Sequence, residues 1–289
     1  MKTQKGFLSL LTSGLILALF GLFARLLSHY VGNFTQVGMR MLLATIIVLP
    51  FIIAKKISIK ARYDNLLLFI VFILSFPIYI IFFTISVNTT KVANAFFYLF
   101  ISSMVTAYIV GFIWFKEKID LQKFIVAILL FVGLLLFSYP FNLSQNFIGI
   151  TTGLLGGFFW GISNATRKFY VDKMNNWLVI VYQMFFGALI SFSLAFLFGE
   201  FLKNNWQVFP LFLLVIYAIG MVFIQTLLFI GFKNFNLNLG SIVLASQLVF
   251  VLIIGIIILK EMPTSTELMG AIAISGAIVF SKLDTAKYI

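Results

Sequence analysis

The chain has 289 residues, of which 62% are hydrophobic and 10% charged, with a mean hydropathy of +1.14. A soluble domain carries about 45–50% apolar and about 25% charged residues, so this composition belongs in lipid. The net charge of +12 is scattered in short clusters rather than gathered in one patch, which argues against a nucleic-acid partner, and the lack of cysteine removes disulfides, thiolate metal sites and cysteine nucleophiles.

A bilayer core takes about 20 apolar helical residues to cross. Ten such runs follow one another: 6–27, 34–54, 65–88, 92–115, 121–139, 147–169, 176–199, 208–232, 238–259 and 266–282. The first is too long for a signal-peptide core and lacks a small-x-small cleavage site, so it is expected to remain as a span. The alternating segments of about 10 residues that a transmembrane barrel needs are not seen. Short connections make neighbouring helices antiparallel. The expected fold is an all-α membrane protein of ten transmembrane helices.

Lys and Arg set the orientation. One set of ends and loops carries Lys2, Lys5, Lys55, Lys56, Lys60, Arg62, Lys116, Lys118, Lys123, Arg167, Lys168, Lys173, Lys233, Lys282 and Lys287. The opposite set has Lys91, Lys203 and Lys260. Both termini are therefore expected in the cytoplasm.

The fourth and ninth runs share their punctuation. At an offset of 144 positions Ser102 meets Ser246, Gly111 meets Gly255, Lys116 meets Lys260 and Glu117 meets Glu261. Phe20-Gly21 in the first run matches Trp160-Gly161 in the sixth, each followed by a cation, Arg25 or Arg167, and Gly133 matches Gly276. The reading is a duplicated five-helix unit, residues 1–142 and 143–289. Because five is odd, the second unit enters from the opposite side. Such inverted repeats are the architecture of alternating access, with substrate near the midplane.

Polar groups inside hydrocarbon mark a path or an interhelical contact. Arg40 stands about six residues inside the second run, roughly 9 Å deep at 1.5 Å per residue. It either snorkels outward or is a counter-charge for a carboxylate or phosphate. Arg25, nearer its helix end, suits snorkelling better. His29 reads as a solvated loop residue and cannot make a metal site alone. The fourth run carries Asn94, Tyr98, Ser102 and Thr106 at steps of four, one stripe that either lines a cavity or bonds within and between helices. In the sixth run Gly149, Gly153, Gly157 and Gly161 bare one face for close packing, with Trp160 and Asn164 close by as cavity candidates. The seventh run puts Gln183 where the second has Arg40. The eighth contributes Tyr217 and Gln225, and the ninth Ser246 and Gln247, as further cavity candidates.

All eight acids fall at helix ends or in loops. No carboxylate sits mid-membrane, where a proton-coupled carrier of cations would want one. Glu117 and Glu261 suit capping of helix junctions, or pairing with Lys116 and Lys260. An intramembrane enzyme would need a base, a nucleophile or a metal; there is no H-E-x-x-H, no G-x-S-x-G and no paired intramembrane Asp. No phosphate-binding G-x-x-x-x-G-K-[ST] loop is present either, and no cofactor is expected.

The Phe/Trp-Gly turns, Arg40 in GMRMLLA, the entry NTTKVANAFFY to the fourth run, the apolar-Lys-Glu ends and the late Gly133 and Gly276 together resemble EamA-type members of the drug/metabolite transporter superfamily. The resemblance covers essentially the whole chain. It implies a carrier of small metabolites, amino acids, nucleotide-like solutes or drugs, mostly exported, with the fourth helix lining its cavity. With no acid in mid-membrane, the expected function is a secondary carrier of small organic metabolites, amino acids or similar zwitterionic or anionic solutes. The other readings left open are a multidrug or cation exporter and, from different classes, a channel, a scaffold or an intramembrane enzyme. The expected setting is a bacterial or archaeal plasma membrane. The partners are a small-molecule substrate and the lipid bilayer, and a homodimer is left open.

Overall fold

The computed structural model describes residues 2–58, 65–139, 147–200, 207–254, 256–257 and 262–284. Eleven helical segments follow in order: α1 (Lys2–Leu27), α2 (Asn33–Ala54), α3 (Leu66–Thr89), α4 (Val92–Phe115), α5 (Leu121–Phe137), α6 (Phe147–Tyr170), α7 (Asn176–Leu197), α8 (Val208–Asn234), α9 (Leu237–Leu244), α10 (Ser246–Ile254) and α11 (Ser265–Asp284). Among the described residues there is no strand. Among the described residues seven helices, counting α9 and α10 as one, are long and apolar enough to cross a membrane. The α5 helix and the Ser265–Ser281 stretch of α11 are apolar but shorter, and α6 is long but diluted by its glycines and polar residues. Large apolar side chains such as Ile53, Leu121, Phe147, Phe196 and Ile272 stand exposed on the outer faces, as befits a surface solvated by lipid.

Polar residues start several helices where the first N–H groups lack partners. The side chains of Asn65, Asp120 and Asn175 accept hydrogen bonds from Leu68, Lys123 and Trp177 N–H. The ninth apolar run is the exception to the ten unbroken helices expected. It breaks at Ala245, where Ala245 N bonds Ile242 O and Leu248 N bonds Ala245 O, tighter turns than an α-helix makes. Ser246 and Gln247 begin the segment after the break.

The helices pair across the two halves of the chain. The α3 helix packs on α6 and α1 on α8; α4 packs on α6, while α9 and α10 pack on α1. The α2 helix lies on α7, α5 on α11, and α4 on α9. Exchanging the first five spans with the last five turns each pair into another pair of the set or into itself. Two local contacts repeat under the same exchange. Ser102 lies against Gly157 and Ser246 against Gly14; Lys168 donates to Phe235 O, and Arg25 to Thr90 O. Both relate α1 to α6 with Arg25 opposite Lys168. The Phe-Gly/Trp-Gly match, which sets Arg25 opposite Ala165, is thus three residues, about one turn, out of step with the packing.

One continuous apolar core, drawn from both halves, runs from Phe7 to Ile278. The glycine stripe of α6 forms its tightest seam. A Cβ on Gly153 would come within 2.7 Å of Tyr98 Cβ, and one on Gly161 within 2.6 Å of Thr106 Cβ. At Gly157 it would collide with Leu99 O. Glycines at every fourth position of α6 thus interlock with polar residues at every fourth position of α4, and the backbones approach closely.

Candidate functional site

Where α2, α3, α6, α7 and α8 meet, two arginines are completely buried. Arg40 of α2 and Arg167 of α6 have no exposed surface, so Arg40 does not snorkel. Its Nη2 donates to Thr84 Oγ1 of α3 at 2.7 Å, and its guanidinium lies over the ring of Tyr217 of α8, 4.2 Å from the centroid. A guanidinium over an aromatic face is held by the ring quadrupole, more strongly where water is excluded. Phe20 of α1 packs on the same Tyr217 ring at 4.1 Å.

Arg167 heads a chain of hydrogen bonds. Its Nη1 donates to Asn164 Oδ1 at 2.6 Å and its Nη2 to Gln225 Oε1 at 2.5 Å. Gln225 Nε2 donates on to Gln183 Oε1 at 2.7 Å, and Gln183 Nε2 to Phe72 O at 2.8 Å. The chain ties α6, α8, α7 and α3 together through groups that are all buried. Phe76 and Phe229 flank the guanidinium at 5.9 and 5.7 Å. Trp160, one helical face along α6 from Arg167, packs on Tyr79 at 4.4 Å and on Phe76 at 6.3 Å. The centre therefore has two cationic poles, an amide relay and an aromatic wall. Neither guanidinium meets a carboxylate among the described residues.

Arg167 is the residue the sequence misassigned. Beside Lys168, near the end of its apolar run, it reads as a loop cation, yet its helix continues to Tyr170 and turns it inward onto Gln225. The signal available was its spacing: Trp160, Asn164 and Arg167 recur at steps of four and three, one face of a helix.

The other sequence-derived candidates lie elsewhere. Tyr98, Ser102 and Thr106 occupy the α4–α6 seam, where Thr106 Oγ1 also bonds back to Ser102 O at 2.9 Å. Ser102 borders a groove on the outer face with Val105, Ile109, Leu154 and Phe158. Asn94 is half-buried in the first turn of α4. Ser246 and Gln247 are buried just after the helix break, Ser246 pressed against Gly14 of α1. His29 is exposed.

The two ends of the molecule differ. On the side bearing the N-terminus, the Glu117 carboxylate accepts from Leu237 N at 2.8 Å and Asn238 N at 3.1 Å, capping α9. It also pairs with Lys168 Nζ at 2.9 Å. Its partner is thus Lys168 of the other half, not its neighbour Lys116. Glu261, Lys260 and Gly255 lie outside the described residues. At the opposite end a cleft of about 750 Å³ is bordered by Leu22, Arg25, Val92, Ala93, Leu252 and Met262, among others. There Glu200 caps α2 by accepting from Phe34 N and Thr35 N at 2.8 and 2.9 Å.

The sequence profile of the EamA-like transporter family matches residues 4–139 and again 147–282. A solved crystal structure is similar over 98% of this chain and 98% of its own, with a TM-score of 0.76 at 15% identity. That likeness concerns the fold. No curated protein matches the chain significantly.

Proposed function

The chain belongs to the EamA-like transporter family, and from that membership and the buried centre we propose a secondary carrier of small organic solutes, amino acids or similar zwitterionic or anionic metabolites. As a family member it is a multi-pass membrane transporter rather than an enzyme. In this reading residues 1–142 and 143–289 are two inverted five-helix repeats, ten spans with both termini in the cytoplasm, and transport is export by alternating access. The observation that carries it is the pair of buried guanidiniums without carboxylates, on α2 and α6, at the meeting of helices from both halves. Ionisable groups held this deep are costly and mark a solute path. Two features support the access mechanism. Packing is exchanged between halves, and one end is clamped through Glu117 and Lys168 while the other is cleft. A broken helix is a recurrent device of such carriers, and this chain has one at Ala245.

The test is counterflow in proteoliposomes. Labelled solute outside should accumulate transiently when unlabelled solute is trapped inside, with saturable rates. The panel is an aromatic amino acid, a basic one, a nucleotide-like metabolite and a lipophilic cation. Counterflow of an amino acid or anion, lost in Arg40→Ala, supports the reading. Flux of the cation alone, unchanged in Arg40→Ala, replaces it with a cation exporter, and flux without counterflow replaces it with a channel.

A further inference from the structure

The polar atoms left over at the centre are almost all of one kind. Asn164 Oδ1 and Gln225 Oε1 both accept from Arg167, and Gln183 Oε1 accepts from Gln225. Thr84 Oγ1 accepts from Arg40 while donating its own hydrogen to Ile80 O at 2.7 Å. On the two arginines and Asn164, four buried nitrogens have no partner among the described residues: Nε and Nη1 of Arg40, Nε of Arg167 and Nδ2 of Asn164. All four are donors. Buried donors left unmade are costly, more so on a charged group. A centre built this way is complete only with an acceptor-rich, negatively charged group in it.

We infer that this centre takes the anionic head group of an organic acid, carboxylate or phosphate, without an ammonium group, and that Arg40 is its anchor. The inference rests on the carrier reading and narrows its substrate class. Arg40 keeps Nε and Nη1 unpartnered, and Nη2 gives only one of its two hydrogens to Thr84. One edge of the fork, Nη2 with Nε or with Nη1, is thus left to grip a carboxylate or phosphate through two parallel bonds. Arg167, with both terminal nitrogens engaged by neutral amides, supplies charge more than grip. An ammonium group fits poorly: the amide carbonyls are already engaged, and two guanidiniums repel it. Two neutral groups are exceptions: Gln36, one turn before Arg40, has both amide atoms unpartnered, and Ser163, beside Asn164, has an unpartnered hydroxyl. One neutral amide and one hydroxyl do not hold an ammonium against two cations. The wall of Phe76, Tyr79 and Trp160 suits a planar or apolar tail.

Three probes share a phenyl ring and differ in head group: 3-phenylpropionate, phenylalanine and 2-phenylethylamine. The full chain is purified in detergent and its thermal unfolding followed against each. The expected result is stabilisation by 3-phenylpropionate, less by phenylalanine and none by the amine. Arg40→Gln should weaken the carboxylate's apparent affinity about tenfold or more, and Arg40→Lys should restore only part of it, because charge returns without the fork. The ranking in the unaltered chain stands even where a variant fails to fold. Equal or greater stabilisation by phenylalanine or the amine, or no response to 3-phenylpropionate, overturns the anion anchor. Counterflow of a zwitterion alongside that outcome would leave the carrier reading intact.

Discussion

Arg40 and Arg167 are both buried with no acid partner among the described residues, but they are held differently, and single substitutions should separate their roles. Arg167 is fixed by Asn164 and Gln225, so Gln225→Leu leaves a charged donor unpaired in a dry core. A hydrogen bond to a charged group contributes about 1.5–3 kcal/mol; Gln225→Leu should lower stability by that order, read as the unfolding midpoint in detergent, and reduce transport with it. Arg40 leans on one hydroxyl and one ring. Arg40→Gln should therefore abolish counterflow while moving the unfolding midpoint much less. Arg40, Asn164, Trp160, Tyr217 and Gln225 were legible in the sequence because a polar or amphipathic residue stands out in an apolar run. Arg167 was not: its burial depends on Gln225, 58 residues away, and on Phe76 and Phe229.

At the scale of elements, close approach between α4 and α6 depends on hydrogen in place of a side chain. Gly157→Val would push a branched side chain into Leu99 O and Ser102, and overpacking of a tight core typically costs about 1–3 kcal/mol. The expected result is poor accumulation and a lowered unfolding midpoint. Thr152→Val, on a more exposed part of the same helix, should be tolerated. The Glu117 carboxylate joins the ends of α4 and α6 to the start of α9. Glu117→Gln should cost about 2 kcal/mol, the scale of charge-assisted bonds at a helix N-terminus, and a double-mutant cycle with Lys168→Met should show strong non-additivity. Helix positions were legible to within a few residues, since membrane length and apolarity dictate them. The break at Ala245 was not, because Leu-Ala-Ser-Gln carries neither Gly nor Pro; it lies where Ser246 is pressed against Gly14 of α1. The stripe of Asn94, Tyr98, Ser102 and Thr106 was visible by its spacing, but spacing alone does not tell a cavity from a glycine seam.

For the whole molecule, exchange of the two halves preserves the packing pairs but not the chemistry. Arg40 faces Gln183 in the repeat alignment, and the contact equivalence sets Arg167 opposite Ala24, so each half contributes one arginine that the other lacks. In the proposed mechanism a symmetric frame with an asymmetric centre lets the two ends open in turn around a fixed charge site. The most direct test of that claim uses the absence of cysteine from the chain. Ser163→Cys places a single thiol on α6 between Trp160 and Arg167, at a buried position whose hydroxyl has no partner among the described residues. Its reaction with a membrane-impermeant thiol reagent is followed from each face of proteoliposomes, with and without Glu117→Gln to loosen the clamp. Alternating access predicts that loosening raises the rate from the N-terminal face and lowers it from the other. Rates that rise together from both faces would contradict it.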